Sequence, residues 1–275
     1  PGSCNFVASG GRKLEMQLTH PEKRRRRGRR RALKVLAGLG LTGLGGWAAL
    51  APRRRNAYYQ GPVSDHFNGL TFFNPVGEGP KSLSNLLKWR FEPTETWPEA
   101  YASSFRDRPP ETVRGPAARV VHVGHASFLV QTAGRNLLID PVWSERASPV
   151  SFAGPRRVNA PGVAFEDLPK IDAVLLTHNH YDHMDMATLA RLVARFGPRI
   201  ITPLGNDAII REAIAAARLQ AVDWGDVADL GDGLNVHVEP THHWSARGTT
   251  DRMHALWASF VIASGARTLY CIGDT

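Results

Sequence analysis

The sequence predicts an α/β fold, because strand-like and helical runs alternate along its second half. An apolar run of branched side chains at 171–176 is typical of a buried strand. The segment 186–196 follows, with apolar residues at helical spacing and a Gly-Pro pair directly after it. Alternation of this kind is typical of α/β proteins.

The remaining elements follow from the same patterns. Before the buried strand, two β-rich runs at 119–131 and 136–140 are joined by a turn at Ala133-Gly134-Arg135 and predict a hairpin. After the first helix we expect strands at 200–203, 221–224 and 234–240, a helix at 206–218 and a hairpin of 256–263 with 268–272 around Gly265. A short helix is also expected at 81–91.

The densest group of polar side chains directly follows the buried strand. It has the pattern H-x-H-x-D-H and comprises His178, His180, Asp182 and His183. Imidazole nitrogens combined with a carboxylate suit zinc or a similar first-row divalent ion. A histidine-rich loop without a metal is the alternative, which four ligand-type side chains at this spacing disfavour. The motif therefore predicts a metal site at the end of the strand.

At this motif the sequence resembles the metallo-β-lactamase superfamily. The resemblance implies a four-layered αβ/βα sandwich and two adjacent metal ions, which would be Zn²⁺. His178 and His180 would belong to the first metal, and Asp182 and His183 to the second. A role for Asp182 in holding a histidine tautomer is the alternative.

Other segments narrow the resemblance to one branch of this superfamily. They are 140–146, 152–158, 167–174 and 178–185. The branch contains N-acylphosphatidylethanolamine-hydrolysing phospholipase D and its bacterial relatives, and the similarity covers roughly residues 58–275.

Two further strand ends complete the expected metal ligands. The branch has a ligand immediately before a tryptophan, which selects His243 in Thr241-His242-His243-Trp244, with His242 as the alternative. The superfamily's Gly-Asp-Thr strand end supplies a bridging carboxylate, a role that falls to Asp274. Its members continue further and supply a last histidine to the second metal. This sequence has no such residue, so we expect a domain that is incomplete at its C-terminus.

The resemblance and the loop chemistry also indicate catalytic and substrate-binding residues. Asp182 and His180 are the expected catalytic residues. The expected substrate-binding or cleft-lining residues are Trp244, Arg247, His125 and Asp140. For His125 and Asp140, a role in supporting the metal ligands is the alternative. Arg247 lies in a polar loop that could present its guanidinium to phosphate, and a plain solvated loop is the alternative.

The implied function is hydrolysis of a phospholipid phosphodiester bond. The expected substrate is N-acylphosphatidylethanolamine, which would give an N-acylethanolamine and phosphatidic acid. One alternative is a dimetal hydrolase of small soluble lactones or phosphoesters. The other is a truncated metal-binding fragment without catalytic activity.

The positive charge is concentrated near the N-terminus. The chain has a formal net charge of +9, but residues 1–55 hold 14 of the 34 Lys and Arg and 2 of the 25 Asp and Glu. Residues 1–55 therefore carry +12 and the remainder −3. A nucleic-acid partner is not expected, because the predicted folded part is slightly acidic.

An apolar run at 32–50 follows the basic block 23–31 and predicts a signal peptide or membrane anchor. An Arg-rich nucleic-acid arm beside a glycine-rich linker is the alternative. The expected organisation is a basic leader at 1–31, the signal or anchor at 32–55 and a hydrolase domain at 56–275, with 56–115 as an arm packed on it. We expect an exported or membrane-associated protein of the bacterial inner membrane or periplasm, with anchoring on the cytoplasmic side as an alternative.

Overall fold

The computed structural model describes residues 55–77, 84, 88, 91, 92, 100–265 and 267–275. The expected leader and anchor at 1–54 lie outside the described residues, as does most of the helix expected at 81–91. In the described part of the chain, no helix has both the length and the hydrophobicity needed to cross a membrane.

The larger sheet has six strands arranged in chain order. They are β1 (Ala118–Gly124), β2 (Ser127–Thr132), β3 (Arg135–Ile139), β4 (Ala173–Leu175), β5 (Arg199–Pro203) and β6 (Arg218–Val222). The first two pairings are antiparallel, and the last three are parallel. The run expected as one strand at 119–131 is in fact two strands, because the chain turns at His125, whose φ is 51°.

The smaller sheet has four antiparallel strands. They are β7 (Val227–Asp229), β8 (Leu234–Glu239), β9 (Ser259–Ser264) and β10 (Arg267–Cys271), in the order β10-β9-β8-β7. Gly265 has a φ of 53° in the turn between β9 and β10, a conformation that glycine adopts readily.

Two helices join strands of the larger sheet. The first, α1 (Met186–Phe196), begins at the capping side chain of Asp185 and ends at Gly197, whose φ of 58° is left-handed. The second, α2 (Asn206–Ala213), is shorter than the predicted 206–218. It ends early because Arg218 already pairs with Arg199 in the ladder between β5 and β6.

Two apolar cores separate the layers. The helices bury Leu189, Leu192 and Ile210 against one face of the larger sheet. The opposite face packs on the smaller sheet, where Leu137 and Leu175 belong to the same cluster as the following residues of β8 and β9: Val236, Val238, Phe260 and Ile262. These layers confirm the predicted α/β sandwich. No helix of the described residues covers the outer face of the smaller sheet.

Residues 55–77 pack on the long loop between β8 and β9. Phe67 and Phe72 are buried in a cluster with Trp257. The Asn56 amide donates hydrogen bonds to the carbonyls of Leu70 and His254, at 2.9 and 2.8 Å. The segment therefore supports the loop that carries His243.

Candidate metal centre

The chemically active side chains come from loops at the ends of strands. His178, His180, Asp182 and His183 follow β4, and Asp140 follows β3. His243 follows β8 and Asp274 follows β10. His125 lies in the turn between β1 and β2. These loops meet at one rim of the two sheets, where their ligand atoms converge into two groups.

The first group is a cluster of three imidazoles with a carboxylate. Nε2 of His178 lies 2.8 Å from Nδ1 of His180 and 3.2 Å from Nε2 of His243, and the last two nitrogens are 3.3 Å apart. The Asp274 carboxylate completes the group, whose donor atoms all lie within 4.8 Å of one another. Ring nitrogens at these separations can reach a single ion.

Burial keeps these imidazoles neutral. Burial, reinforced by the neighbouring imidazoles, holds the pKa of His178 well below its ordinary value. The same causes, with burial the larger, lower the pKa of His180 to about 4. The pKa of His243 is also lowered by burial. Because only a neutral imidazole nitrogen has a free lone pair, all three are in the form that binds metals.

The second group contains Asp182, His183 and His125. Oδ2 of Asp182 lies 2.9 Å from Nε2 of His125 and 3.9 Å from Nε2 of His183. The ligand atoms of the three residues again lie within 4.8 Å of one another. His125 is expected from the sequence to line the cleft or to support a ligand, and the structure places it both in the cleft wall and beside Asp182. The only signal for it was its position in a Gly-His turn at a strand end.

Asp274 lies between the two groups. Its Oδ1 is 3.4 Å from Nε2 of His183, and its Oδ2 is 3.8 Å from Nε2 of His243. Each carboxylate oxygen thus faces a different group. This is the position that the expected bridging role requires.

Asp140 supports a ligand, one of the two roles expected for it, and it does not line the cleft as the other, substrate-binding role requires. It is fully buried beneath the centre, with an exposed fraction of 0%. Its carboxylate accepts hydrogen bonds from the Thr177 amide at 2.8 Å and the Thr177 hydroxyl at 2.6 Å. The same carboxylate lies 2.8 Å from Nδ1 of His183. Asp140 therefore orients the His183 ring so that Nε2 faces Asp182 and Asp274.

The residues present fit divalent cations. Burial alone would lower the pKa of His183, but its carboxylate partners Asp140 and Asp274 raise it to about 10. Nε2 of His183 and Nε2 of His180 are both buried without a hydrogen-bond partner. A proton or a cation at Nε2 of His183 would offset the negative charge of the two carboxylates. Five imidazoles and two carboxylates in this arrangement match the ligand preferences of zinc and similar ions.

A cleft of about 670 Å³ opens over the centre. His180, Asp182 and His125 line it on the side of the centre. Its other walls combine apolar residues with charged ones; they include Val142, Pro155, Val158, Trp244, Glu145, Arg156, Arg157 and Arg247. The Trp244 ring lies 4.3 Å from the His180 ring, centroid to centroid. Trp244 thus occupies the cleft-lining position expected from the sequence.

Arg247 also lines the cleft, but its guanidinium is hydrogen-bonded to the metal loop, residues 179–184. Nη1 donates to the carbonyls of Asn179 and Met184, at 2.9 and 3.0 Å. The guanidinium carbon lies 4.1 Å from the centroid of the Tyr181 ring, and the Tyr181 hydroxyl donates to the Arg247 carbonyl at 2.8 Å. These contacts hold the loop 179–184 in place.

His242 lies apart from both groups of ligands. It lines a different cavity of about 500 Å³, together with His66 and Asn74. Its ring lies so close to Gly77 that a β-carbon there would be 2.7 Å from Nε2. Of the two adjacent histidines, the structure brings only His243 to the centre.

Comparison with known proteins finds relatives that match more than half of this chain. An uncharacterized protein of Mycobacterium tuberculosis is 37% identical over 169 residues, which are 60% of this chain and 45% of the relative. The N-acyl-phosphatidylethanolamine-hydrolyzing phospholipase D 1 of Caenorhabditis elegans is 33% identical over 162 residues, 56% of this chain and 45% of the relative. The chain thus spans about half the length of these curated relatives.

Solved structures also resemble the chain. The isothiocyanate hydrolase from Delia radicum gut bacteria is 25% identical, with a TM-score of 0.42 over 57% of this chain and 62% of that one. The metallo hydrolase Igni18 from Ignicoccus hospitalis is 23% identical, with a TM-score of 0.41 over 57% and 61% of the two chains. The model of the family described as "Beta-lactamase superfamily domain" matches residues 135–275, just over half of the sequence. The chain therefore belongs to the beta-lactamase superfamily.

Proposed function

We propose that this protein is a dimetal hydrolase that cleaves a phosphodiester bond of a phospholipid, with zinc as the metal. The substrate that we favour is N-acylphosphatidylethanolamine. The observation that carries the proposal is the position of Asp274, with one carboxylate oxygen facing each of two ligand groups on the floor of a cleft.

The ligands divide according to this geometry. His178, His180 and His243 would hold one ion, Asp182 and His183 the other, and Asp274 would contact both. Two divalent cations at such a centre lower the pKa of water and stabilise the charge that develops on an attacked phosphoryl group.

The chain's own residues would orient the reaction and manage its protons. Asp182 lines the cleft and offers carboxylate oxygens that can accept a proton from water. His125, 2.9 Å away, fixes the orientation of that carboxylate. Trp244 and Val142 cover part of the cleft with apolar surface, which excludes bulk water and strengthens the electrostatic interactions inside.

Three features support a phospholipid as substrate. Relatives in Caenorhabditis elegans and Saccharomyces cerevisiae are named as N-acyl-phosphatidylethanolamine-hydrolyzing phospholipases D. The cleft combines apolar walls with arginines, as an amphiphilic phosphodiester requires. Beside it, the loop 147–155 exposes 81% of Phe152 and 38% of Val150, side chains that could enter a lipid surface. We also propose membrane association, through this loop and through residues 32–50.

The test is hydrolysis of N-acylphosphatidylethanolamine in mixed micelles with added zinc. We expect wild-type protein to release phosphatidic acid, and His180→Ala to release none, because it removes one of three converging imidazoles. Metal content measured on both proteins checks that the variant has lost an ion. Release of phosphatidic acid at equal rates by both proteins would reject the proposal. Turnover of lactones in place of the lipid would reject the substrate and retain the hydrolase.

A further inference from the structure

Arg157 is a partly buried arginine in the wall of the cleft. It lines the same cavity as His180 and Asp182. Its Nη2 donates to the carbonyl of Val142 at 2.6 Å. Nη1 lies against Gly124, where a β-carbon would be only 2.7 Å from it. The guanidinium is therefore held in place by backbone on two sides.

This guanidinium has no acidic partner. Among the described residues, no carboxylate oxygen lies within 4.0 Å of Arg157. Asp185 is the acidic group whose charge acts on it, and both oxygens of Asp185 already accept hydrogen bonds from Ser144 and from the first turn of α1. In addition, Nε of Arg157 is buried without a hydrogen-bond partner.

A partly buried cation without a counter-ion is unfavourable, and an anion bound beside it would offset this cost. Removing a guanidinium from water is costly unless an anion pairs with it. Burial accordingly lowers the pKa of Arg157. Its planar fork of donors matches the oxygens of a phosphate group.

We propose that Arg157 forms an anion subsite in the cleft wall that binds the phosphate group of an amphiphilic substrate. The subsite rests on the proposed function for the identity of its ligand. Beside it, Val142, Pro155 and Val158 provide apolar surface for the adjoining chain. Arg157 would thus select negatively charged lipids over neutral ones of the same shape.

The two neighbouring arginines differ from Arg157 in their partners. Arg247 donates to two carbonyls of the metal loop. Arg156 has an exposed side chain and lies 3.8 Å from Glu145. Among the three, Arg157 alone combines backbone anchoring with a buried donor that lacks a partner.

The experiment compares two probes that differ in charge. Dihexanoylphosphatidic acid and neutral dihexanoylglycerol are titrated by calorimetry into the full chain, once loaded with zinc and once treated with a chelator. For Arg157→Gln we expect the dissociation constant of the phosphatidic acid to rise about tenfold or more in both forms, as expected for loss of hydrogen bonds to a charged group. The affinity for dihexanoylglycerol should not change.

The matched control is Arg191→Gln, because Arg191 lies on α1, does not line the cleft and pairs with the exposed Glu166. This variant should bind both probes like the wild type. Unchanged binding of phosphatidic acid by Arg157→Gln would overturn the subsite. Equal losses for both probes would also overturn it, since a purely structural role affects charged and neutral ligands alike.

Arg157→Lys provides a second test that does not depend on the folding of the glutamine variant. Lysine keeps the positive charge and lacks the planar set of donors of the guanidinium. We therefore expect a smaller loss of affinity, confined to phosphatidic acid. Wild-type affinity in this variant would count against the subsite.

If the wild type cleaves phosphodiesters while Arg157→Gln binds phosphatidic acid normally, the subsite fails and the proposed function stands. Charge-selective binding through Arg157 in a protein without phosphodiesterase activity would support the subsite and reject the proposed function.

Discussion

Two residues of the centre adopt a backbone conformation that side chains other than glycine rarely take. His125 has a φ of 51° and Asp140 a φ of 41°. Each lies at the end of a strand of the larger sheet, and each places its side chain against a residue of the metal loop. Strained backbone of this kind tends to occur at functional sites, where the surrounding structure enforces it.

Asp140 provides a residue-scale prediction. In Asp140→Asn the carboxylate that orients His183 is replaced by an amide of the same size. We expect metal affinity at the second group to fall about 10- to 100-fold, as is usual when the partner of a ligating histidine is removed. Competition with a chromophoric chelator measures this affinity.

The control for this variant is Asp229→Asn, an exposed position in β7. It should bind metal like the wild type. Equal affinities for all three proteins would show that Asp140 does not support the centre.

At the residue scale, sequence reasoning succeeded where ligands are close together in the chain. His178, His180 and His183 share one short loop, so their spacing alone indicated a common site. His125 was expected in the cleft, but its place beside Asp182 and the position of Arg157 could not be predicted in this way. Their places in the cleft depend on how β1, β2 and the loop 140–164 fold back on the metal loop, and no local pattern in the sequence indicates that arrangement.

At the scale of elements, Asp185 links helix α1 to the loop after β3. Its carboxylate caps the helix by accepting hydrogen bonds from the amides of Ala187 and Thr188, at 3.1 and 3.2 Å. It also accepts hydrogen bonds from the amides of Trp143 and Ser144, at 3.2 and 2.9 Å. One side chain therefore fixes the start of α1 and one wall of the cleft.

Asp185→Ala should destabilise the protein by about 2 to 4 kcal/mol, since it removes a cap and leaves partly buried amides without an acceptor. Urea unfolding followed by circular dichroism measures the loss. The matched control is Asp207→Ala in the first turn of α2, where the carboxylate lies 3.6 Å from Arg211. This change should cost less than about 1 kcal/mol. A similar loss in the two variants would contradict the linking role of Asp185.

The two helices show what sequence patterns predict about element boundaries. The end of α1 was predicted correctly, because Gly197 and Pro198 stop a helix whatever surrounds it. The end of α2 was predicted five residues too late. Helical propensity continues past Ala213, but pairing of β6 with β5 requires residues 218–222 in extended form. Tertiary pairing therefore overrides the local preference.

At the scale of the whole molecule, residues upstream of the family match belong to the core. Phe67 and Phe72 are each 1% exposed and pack with Trp257. The Tyr58 hydroxyl donates to the Asp251 carboxylate at 3.0 Å, and this carboxylate also accepts from the Arg247 amide. Residues 55–77 therefore stabilise the loop that supplies His243 and Arg247.

Tyr58 gives this contact a pH dependence. Burial, followed by the hydrogen bond to Asp251, raises the pKa of Tyr58 to about 12, whereas an unfolded tyrosine titrates near 10. The contribution to stability is thus fully present below about pH 10 and is lost as the pH rises toward about 12. We expect Tyr58→Phe to be less stable than the wild type at pH 8 and the difference to shrink by pH 11.

Urea midpoints at pH 8, 10 and 11 test this expectation. Tyr101→Phe is the control, since 66% of Tyr101 is exposed, and it should match the wild type at each pH. A stability difference for Tyr58→Phe that stays constant from pH 8 to pH 11 would contradict the assignment.

The candidate ligands come from both sheets. His178, His180, Asp182 and His183 follow β4 of the larger sheet, whereas His243 and Asp274 follow β8 and β10 of the smaller one. An ion shared by these donors would act as a cross-link between positions 65 residues apart in the chain, His178 and His243. Such a cross-link would oppose sliding of one sheet relative to the other. Loading with metal would therefore slow amide hydrogen exchange in β8 and β9 as well as complete the centre.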